Sequence, residues 1–137
     1  MRKAIKAIGV LAILVLCAAV IGSFKEGNIK HVKKTISQSS VYSQQEISDA
    51  MDIVERRFKH EFSGCTLTDV RYDEKFSAPE SGARAAEYYA DQSIVLETSF
   101  HVSSCEGLNP NSTYDGYLWV LVRKNGGPWR LKTFGQG

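Results

Sequence analysis

The sequence predicts an α+β domain in which one long helix packs on a curled, cone-like antiparallel sheet of about four strands. Three patterns support this prediction. An amphipathic helix precedes several strand-like stretches, segment 114–123 is apolar on both faces, and a glycine-rich turn at 125–128 separates the last two strands. A helix with a single apolar stripe must bury that stripe, and the strands supply the surface on which it does so.

The helix is predicted at residues 44–62. Ser43 and Glu46 have the spacing of a capping box, and Tyr42 precedes the cap as a hydrophobic staple requires. Gly64 supplies the stop signal. Five apolar residues recur at helical spacing and predict the buried stripe: Ile47, Ala50, Met51, Val54 and Phe58.

Four segments have strand character because apolar, β-branched and aromatic residues dominate or alternate in them: 65–72, 93–105, 114–123 and 129–134. Segment 114–123 is predicted to lie inside the sheet, covered on both faces. Segment 76–92 leaves two interpretations open, a short helix or an extended arm, because Pro79 and Gly82 interrupt it.

Residues 1–24 are predicted to be a signal peptide or a membrane anchor. Arg2, Lys3 and Lys6 precede an apolar run at 7–21, which is the form of a secretory signal. Cleavage after Gly22 and retention as an anchor, with the basic end inside, are both open. We therefore expect an extracytoplasmic domain, either released or tethered to the membrane through residues 7–24.

Lipidation of Cys17 is a third fate of this segment. The residues before Cys17 loosely match the lipobox of bacterial lipoproteins, but the bulky Leu16 stands where that motif has a small residue. Leu16 therefore argues against lipidation, and Cys17 is more simply an apolar residue of the run.

Residues 25–42 are predicted to be a flexible basic linker, and residues 43–137 the folded domain. The linker carries an excess of lysine and lacks a sustained apolar period. It is interpreted as a solvated tether in preference to a surface for anionic headgroups or wall polymers. The domain is mildly acidic, which argues against nucleic acid as a partner. The expected partner is a protein or a small ligand at the cell surface.

Cys65 and Cys105 are predicted to be neighbours. Cys65 opens the first strand and Cys105 closes the second, so antiparallel pairing brings the two ends together. Export permits a disulfide between them, although two free thiols remain the alternative. Closing a loop of roughly 40 residues would stabilise the fold by about 4 kcal/mol.

The chain resembles a domain family of unknown function that occurs in small secreted or lipid-anchored proteins of Gram-positive bacteria. The resemblance covers roughly residues 43–137 and is carried by segment 62–69 followed by 72–74, by segment 108–114, and by Trp119 with segment 127–130. It implies a cone-like fold similar to nuclear transport factor 2. It implies no activity and no catalytic residue.

Candidate sites are few. The aromatic residues of the second half could line a concave face and bind a sugar or an apolar ligand. The alternative, that they fill the core, is favoured for Trp119 and Trp129. The acidic cluster Asp69, Asp73 and Glu74 is more simply a solvated strand end than a cation site. The candidate ligand-binding residues are Tyr72, Tyr117, Trp119, Trp129, His101 and Asp69.

The expected function is that of a non-enzymatic extracytoplasmic binding or accessory module. No nucleophile–base pattern and no metal-ligand spacing is present, so neither a catalytic residue, a metal nor a cofactor is expected. One alternative is a cone-fold enzyme with Asp69, Tyr72 or His101 in a pocket lined by Tyr and Trp, where His101 could pair with Glu97. Another is a self-associating structural protein of the envelope.

Overall fold

The structure is a computed structural model that describes residues 26–137. Its elements are β1 (Lys33–Ile36), α1 (Gln44–Glu61), β2 (Cys65–Tyr72), α2 (Glu74–Glu87), β3 (Gln92–Val102), β4 (Ser112–Arg123) and β5 (Arg130–Gln136). The strands form one sheet in the order β1-β2-β3-β4-β5. The predicted α+β class is confirmed. The predicted signal or anchor segment 1–24, with Cys17, lies outside the described residues.

The sheet differs from the prediction in strand number and direction. It has five strands instead of about four, and β1 runs parallel to β2 whereas the other pairs are antiparallel. The sheet is therefore mixed. The strands predicted from the sequence match β2 to β5 to within three residues at each end.

The additional strand comes from residues that the sequence predicts to be a flexible linker. Gly27 donates its N–H to the carbonyl of Lys59 at 2.9 Å, and Leu67 donates to the carbonyl of Asn28 at 2.9 Å. Residues 33–36 then pair with the second half of β2. Residues 27, 28 and 33–36 are therefore bound to the rest of the domain, which corrects the prediction of a flexible linker for this part of 25–42.

The charge of this segment explains the error. The Lys34 ammonium lies 3.1 Å from a carboxylate oxygen of Asp52 and 3.4 Å from one of Glu55, both on α1. Lys34, which looks like part of a solvated tether in the sequence, thus faces acidic residues of α1 in the fold. A strand of four residues is also too short to show a period of its own.

Helix α1 forms as predicted and ends within one residue of the predicted boundary. Both hydrogen bonds of the capping box are present, from the amide of Glu46 to the Ser43 hydroxyl and from the amide of Ser43 to the Glu46 carboxylate. The whole predicted stripe is buried against the sheet: Ile47, Ala50, Met51, Val54 and Phe58.

Helix α2 settles the open interpretation of segment 76–92 in favour of a helix, which is longer than the one considered. It begins at Glu74, with Asp73 as the N-cap accepting from the amide of Lys75, and it contains Pro79. The cap and the packing of α2 on β3 outweigh the interruption by proline.

The edge of β3 beyond the end of β2 is closed by side chains. The last β2–β3 pair is Arg71 with Glu97, so residues 92–96 have no strand partner on that side. The carbonyl of Ser93 accepts from the Tyr42 hydroxyl at 2.9 Å, and the amide of Val95 donates to the Ser77 hydroxyl at 3.0 Å. Polar side chains thus satisfy backbone groups of β3 that no strand reaches.

The sheet is covered on both faces, as predicted for 114–123. On the α1 side Trp119 and Leu121 belong to the main core, whereas Val120 and Val122 alternate with them and point to the α2 side. Val120 and Val122 are also buried. In the chain from residue 26 onward, neither helix is both long and apolar enough to cross a membrane.

Candidate functional site

The space between α1 and the sheet is filled by aromatic side chains. Trp119 is completely buried, and its ring lies 4.7 Å from that of Phe134 and 5.6 Å from that of Phe62, measured between centroids. Tyr117 and Phe100 extend the cluster, with ring centroids 5.2 Å apart. The ring packing leaves Trp119 and Tyr117 in contact with other core side chains.

Two further candidates, Tyr72 and Trp129, also face this core. Trp129 is 6 % exposed, and its indole N–H donates to the Glu46 carbonyl at 3.0 Å. Tyr72 is 2 % exposed, with its hydroxyl 3.4 Å from that of Ser39. The polar tips of both residues are thus used within the fold, and Trp119 and Trp129 have the core positions favoured from the sequence.

Two residues of the acidic cluster, Asp73 and Glu74, make hydrogen bonds at the start of α2. Asp73 caps α2, and the Glu74 carboxylate accepts from the Ser39 hydroxyl at 2.6 Å and from the Ser40 amide at 2.9 Å. The hydrogen bond from Ser39 is the main cause that lowers the pKa of Glu74. Asp69 stands opposite Lys33 in the β1–β2 register.

Metal binding finds no support among residues 26–137, where no group of three His, Cys, Asp or Glu side chains converges. His101 is exposed, with its Nδ1 atom 3.5 Å from the Thr113 hydroxyl. Glu97 lies instead 3.8 Å from Arg71. The pair of His101 with Glu97 considered from the sequence is therefore not formed.

Cys65 and Cys105 are brought together as free thiols. The β2–β3 register places Cys65 opposite Val102, three residues before Cys105. Both side chains contact the core, where Cys65 is buried and Cys105 is half-buried. Burial is the main cause that raises the pKa of Cys65 to about 12. The Cys105 side chain adds to this rise through charge repulsion and a hydrogen bond.

A basic concavity on the α2 side of the sheet was not predicted. We call it the basic pocket, and it has a volume of about 260 Å³. It lies between the end of α2 and the β4–β5 hairpin. Four of its lining residues are basic and none is acidic: Arg123, Lys124, Arg130 and Lys132, with Tyr88, Ala90, Val122 and Pro128 completing the wall.

Arg123 is the fixed member of the basic pocket. Its guanidinium is paired with the Glu46 carboxylate, and its Nε atom donates to the Gln92 side chain at 2.7 Å. The same group lies over the rings of Trp129 and Tyr42, at 4.4 Å and 5.5 Å from their centroids. The Arg123 guanidinium thus points to the α1 side of the sheet, where Glu46 largely neutralises its charge.

The other three basic residues are exposed and reach solvent. Within residues 26–137, Lys124, Arg130 and Lys132 have no carboxylate within 4.0 Å. Their positions on either side of the predicted hairpin turn are a signal that was available in the sequence. The position of α2, which closes the concavity, was not.

Comparison of the chain with protein-family models, with curated proteins and with solved structures found no match. The resemblance to a family of secreted and lipid-anchored proteins therefore remains a prediction.

Proposed function

We propose that this protein is an extracytoplasmic, non-enzymatic binding module that takes an anionic group in the basic pocket. The observation that carries the proposal is the charge of that concavity. Three exposed cationic side chains (Lys124, Arg130 and Lys132) converge on it, and no acidic residue lines it.

The chemistry of the basic pocket favours phosphate or carboxylate groups. Arg130 offers a planar fork of donors that suits either anion, and the two lysines add mobile point charges. Val122 and Pro128 give the pocket an apolar wall against which the uncharged part of a ligand can pack. Arg123 is already engaged by Glu46, so in this proposal the other three basic residues bind the anion.

The filled aromatic core supports a surface site in preference to an internal one. We propose that the sheet curls around α1 as a cone with its interior occupied. Register shifts in three consecutive strand pairs support this curl, since β-bulges increase local bending and twist. The complete burial of Trp119 favours the binding module over the enzyme alternative, which needs a pocket lined by Tyr and Trp.

The extracytoplasmic location rests on the apolar run at 7–21 and the basic residues before it. In this proposal the run directs export and then is cleaved or holds the domain at the outer surface. Digestion of intact cells with a protease tests the location. The domain is expected to be degraded while a cytoplasmic marker survives, and equal protection of both would contradict export.

Binding is tested by calorimetric titration of the full chain, in micelles of a neutral detergent, with inorganic tripolyphosphate. We expect binding that weakens as salt rises. Replacing Lys124, Arg130 and Lys132 together by Gln should weaken it by about tenfold or more.

A matched control removes the same charge elsewhere. Lys30, Lys33 and Arg56 are exposed and lie away from the basic pocket, and their joint replacement by Gln should leave the affinity within about twofold of wild type. Equal losses in both triple variants would mean that only net charge matters. That result, or no binding by the wild type, would overturn the proposal.

A further inference from the structure

We infer that Cys65 and Cys105 form an oxidisable pair in which Cys105 is the attacking thiol and Cys65 the resolving thiol. The pair lies where β2 begins and the β3–β4 loop (residues 103–111) leaves the sheet. This end of β4 is the opposite one from the hairpin that carries the basic pocket. The inference is therefore independent of the proposed binding function.

The backbone segments that carry the two cysteines are in direct contact. Ser103 and Ser104 both donate their N–H groups to the carbonyl of Gly64, at 2.9 and 3.4 Å. A Cβ atom on Gly64 would lie only 1.8 Å from the Ser104 carbonyl oxygen, so the two segments are in direct contact. The residues next to Cys65 and Cys105 are thus held together before any covalent bond forms.

The two thiols differ in access. Cys65 is 2 % exposed, whereas Cys105 is half-exposed and lies in a loop at the surface. A thiolate is the nucleophile in thiol–disulfide exchange, and burial keeps Cys65 protonated. An external disulfide can therefore reach Cys105 but not Cys65.

The steps balance with a disulfide reagent as the oxidant. The Cys105 thiolate attacks one sulfur of the external disulfide; a mixed disulfide forms and one thiolate leaves. Cys65 then loses its proton to solvent and attacks the Sγ atom of Cys105, which releases the second half of the oxidant as a thiolate. The two protein thiols lose two electrons and two protons in total, and the external disulfide is reduced to two thiols.

The test uses the full chain with Cys17→Ser, exposed under native conditions to oxidised glutathione and analysed by mass spectrometry. The chain that keeps Cys65 and Cys105 should lose two hydrogen atoms and carry no glutathione. Cys65→Ala should trap one glutathione on Cys105. Cys105→Ala should react at Cys65 at a rate at least about tenfold lower. Equal adduct formation in both variants, or adducts without a bridge in the parent chain, would overturn the inference.

A second measurement does not depend on variants at the pair. The chain with both thiols is alkylated under native conditions with iodoacetamide, and the modified peptides are followed in time. Cys105 should be modified before Cys65. Simultaneous modification, or earlier reaction at Cys65, would contradict the assignment of Cys105 as the attacking thiol.

Discussion

The Glu46 carboxylate pairs with the Arg123 guanidinium, and this contact ties the first turn of α1 to the last residue of β4, 77 positions away. Glu46 also completes the capping box through the Ser43 amide. That bond is the main cause that lowers the pKa of Glu46, and Arg123 is the next. One carboxylate therefore caps the helix and fixes the side chain of Arg123 at the end of β4.

Glu46→Gln should lower the free energy of unfolding by about 1 kcal/mol at neutral pH, since a charged capping and pairing group becomes neutral. The folded-state pKa of Glu46 lies below its unfolded value, so its contribution is present above the unfolded pKa and is lost as pH falls through the folded one. Urea unfolding at neutral and acidic pH should therefore show a smaller difference between variant and wild type in acid.

Glu61→Gln serves as the control for that prediction, because Glu61 forms an exposed pair with Arg57, four residues away on the same helix. Its loss should cost only about 0.3–0.5 kcal/mol. A cost for Glu46→Gln no larger than this at neutral pH would contradict the role given to Glu46.

Thr98→Val should destabilise the fold by about 1–3 kcal/mol, because it leaves a buried donor unpaired. The indole N–H of Trp119 donates to the Thr98 hydroxyl at 2.8 Å, and both residues are fully buried. Thr133→Val, on an exposed position of β5, is the control and should change stability by about 0.5 kcal/mol or less. Urea denaturation of the two variants compares them, and equal midpoints would refute the prediction.

Ser77→Ala should open the unpaired edge of β3. The amide of Val95 loses its acceptor and exchanges its hydrogen faster, by roughly tenfold for each 1.4 kcal/mol of lost protection. Ser81→Ala is made on the same helix, where the hydroxyl bonds only to the Ala78 carbonyl. Hydrogen exchange resolved by residue should show no change at Val95 in that control.

Substituting two glycines that have similar φ angles distinguishes the cost of backbone strain from the cost of a steric clash. Gly64 has φ +80° and Gly107 has φ +83°, but a Cβ on Gly107 meets no atom within 4 Å. Gly107→Ala should cost about 1 kcal/mol from the left-handed backbone alone. Gly64→Ala should cost about 3 kcal/mol or more, since its Cβ collides with the Ser104 carbonyl; similar unfolding midpoints would show that this contact yields readily.

The parts of the fold that depend on local patterns were predictable. The Ser43 capping box and the stripe from Ile47 to Phe58 lie within one helix, so the sequence displays both directly. Strand β1 was missed because its partner, residues 69–72, lies beyond the whole of α1. Its lysines also suggested exposure to solvent, whereas Lys34 pairs with Asp52 of α1.

The candidate site was less predictable for the same reason. Lys124, Arg130 and Lys132 flank a hairpin that the sequence indicates, but the concavity also needs the end of α2. Helix α2 was obscured by Pro79, and the pairing of Arg123 with Glu46 crosses most of the chain. Tyr72 is a residue type common in ligand sites, and only tertiary packing shows that it lies in the core, whereas a core position of Trp119 was already favoured from the sequence.

The hydrogen bond from the Gly27 amide to the Lys59 carbonyl fixes the chain to the domain only six residues after Ile21. If the apolar run stays in the membrane, the chain from Ile21 to Gly27 spans at most roughly 20 Å even when fully extended. The anchored domain would then reach only ligands close to the bilayer surface. Ligands deeper in the envelope would be accessible only to the cleaved form.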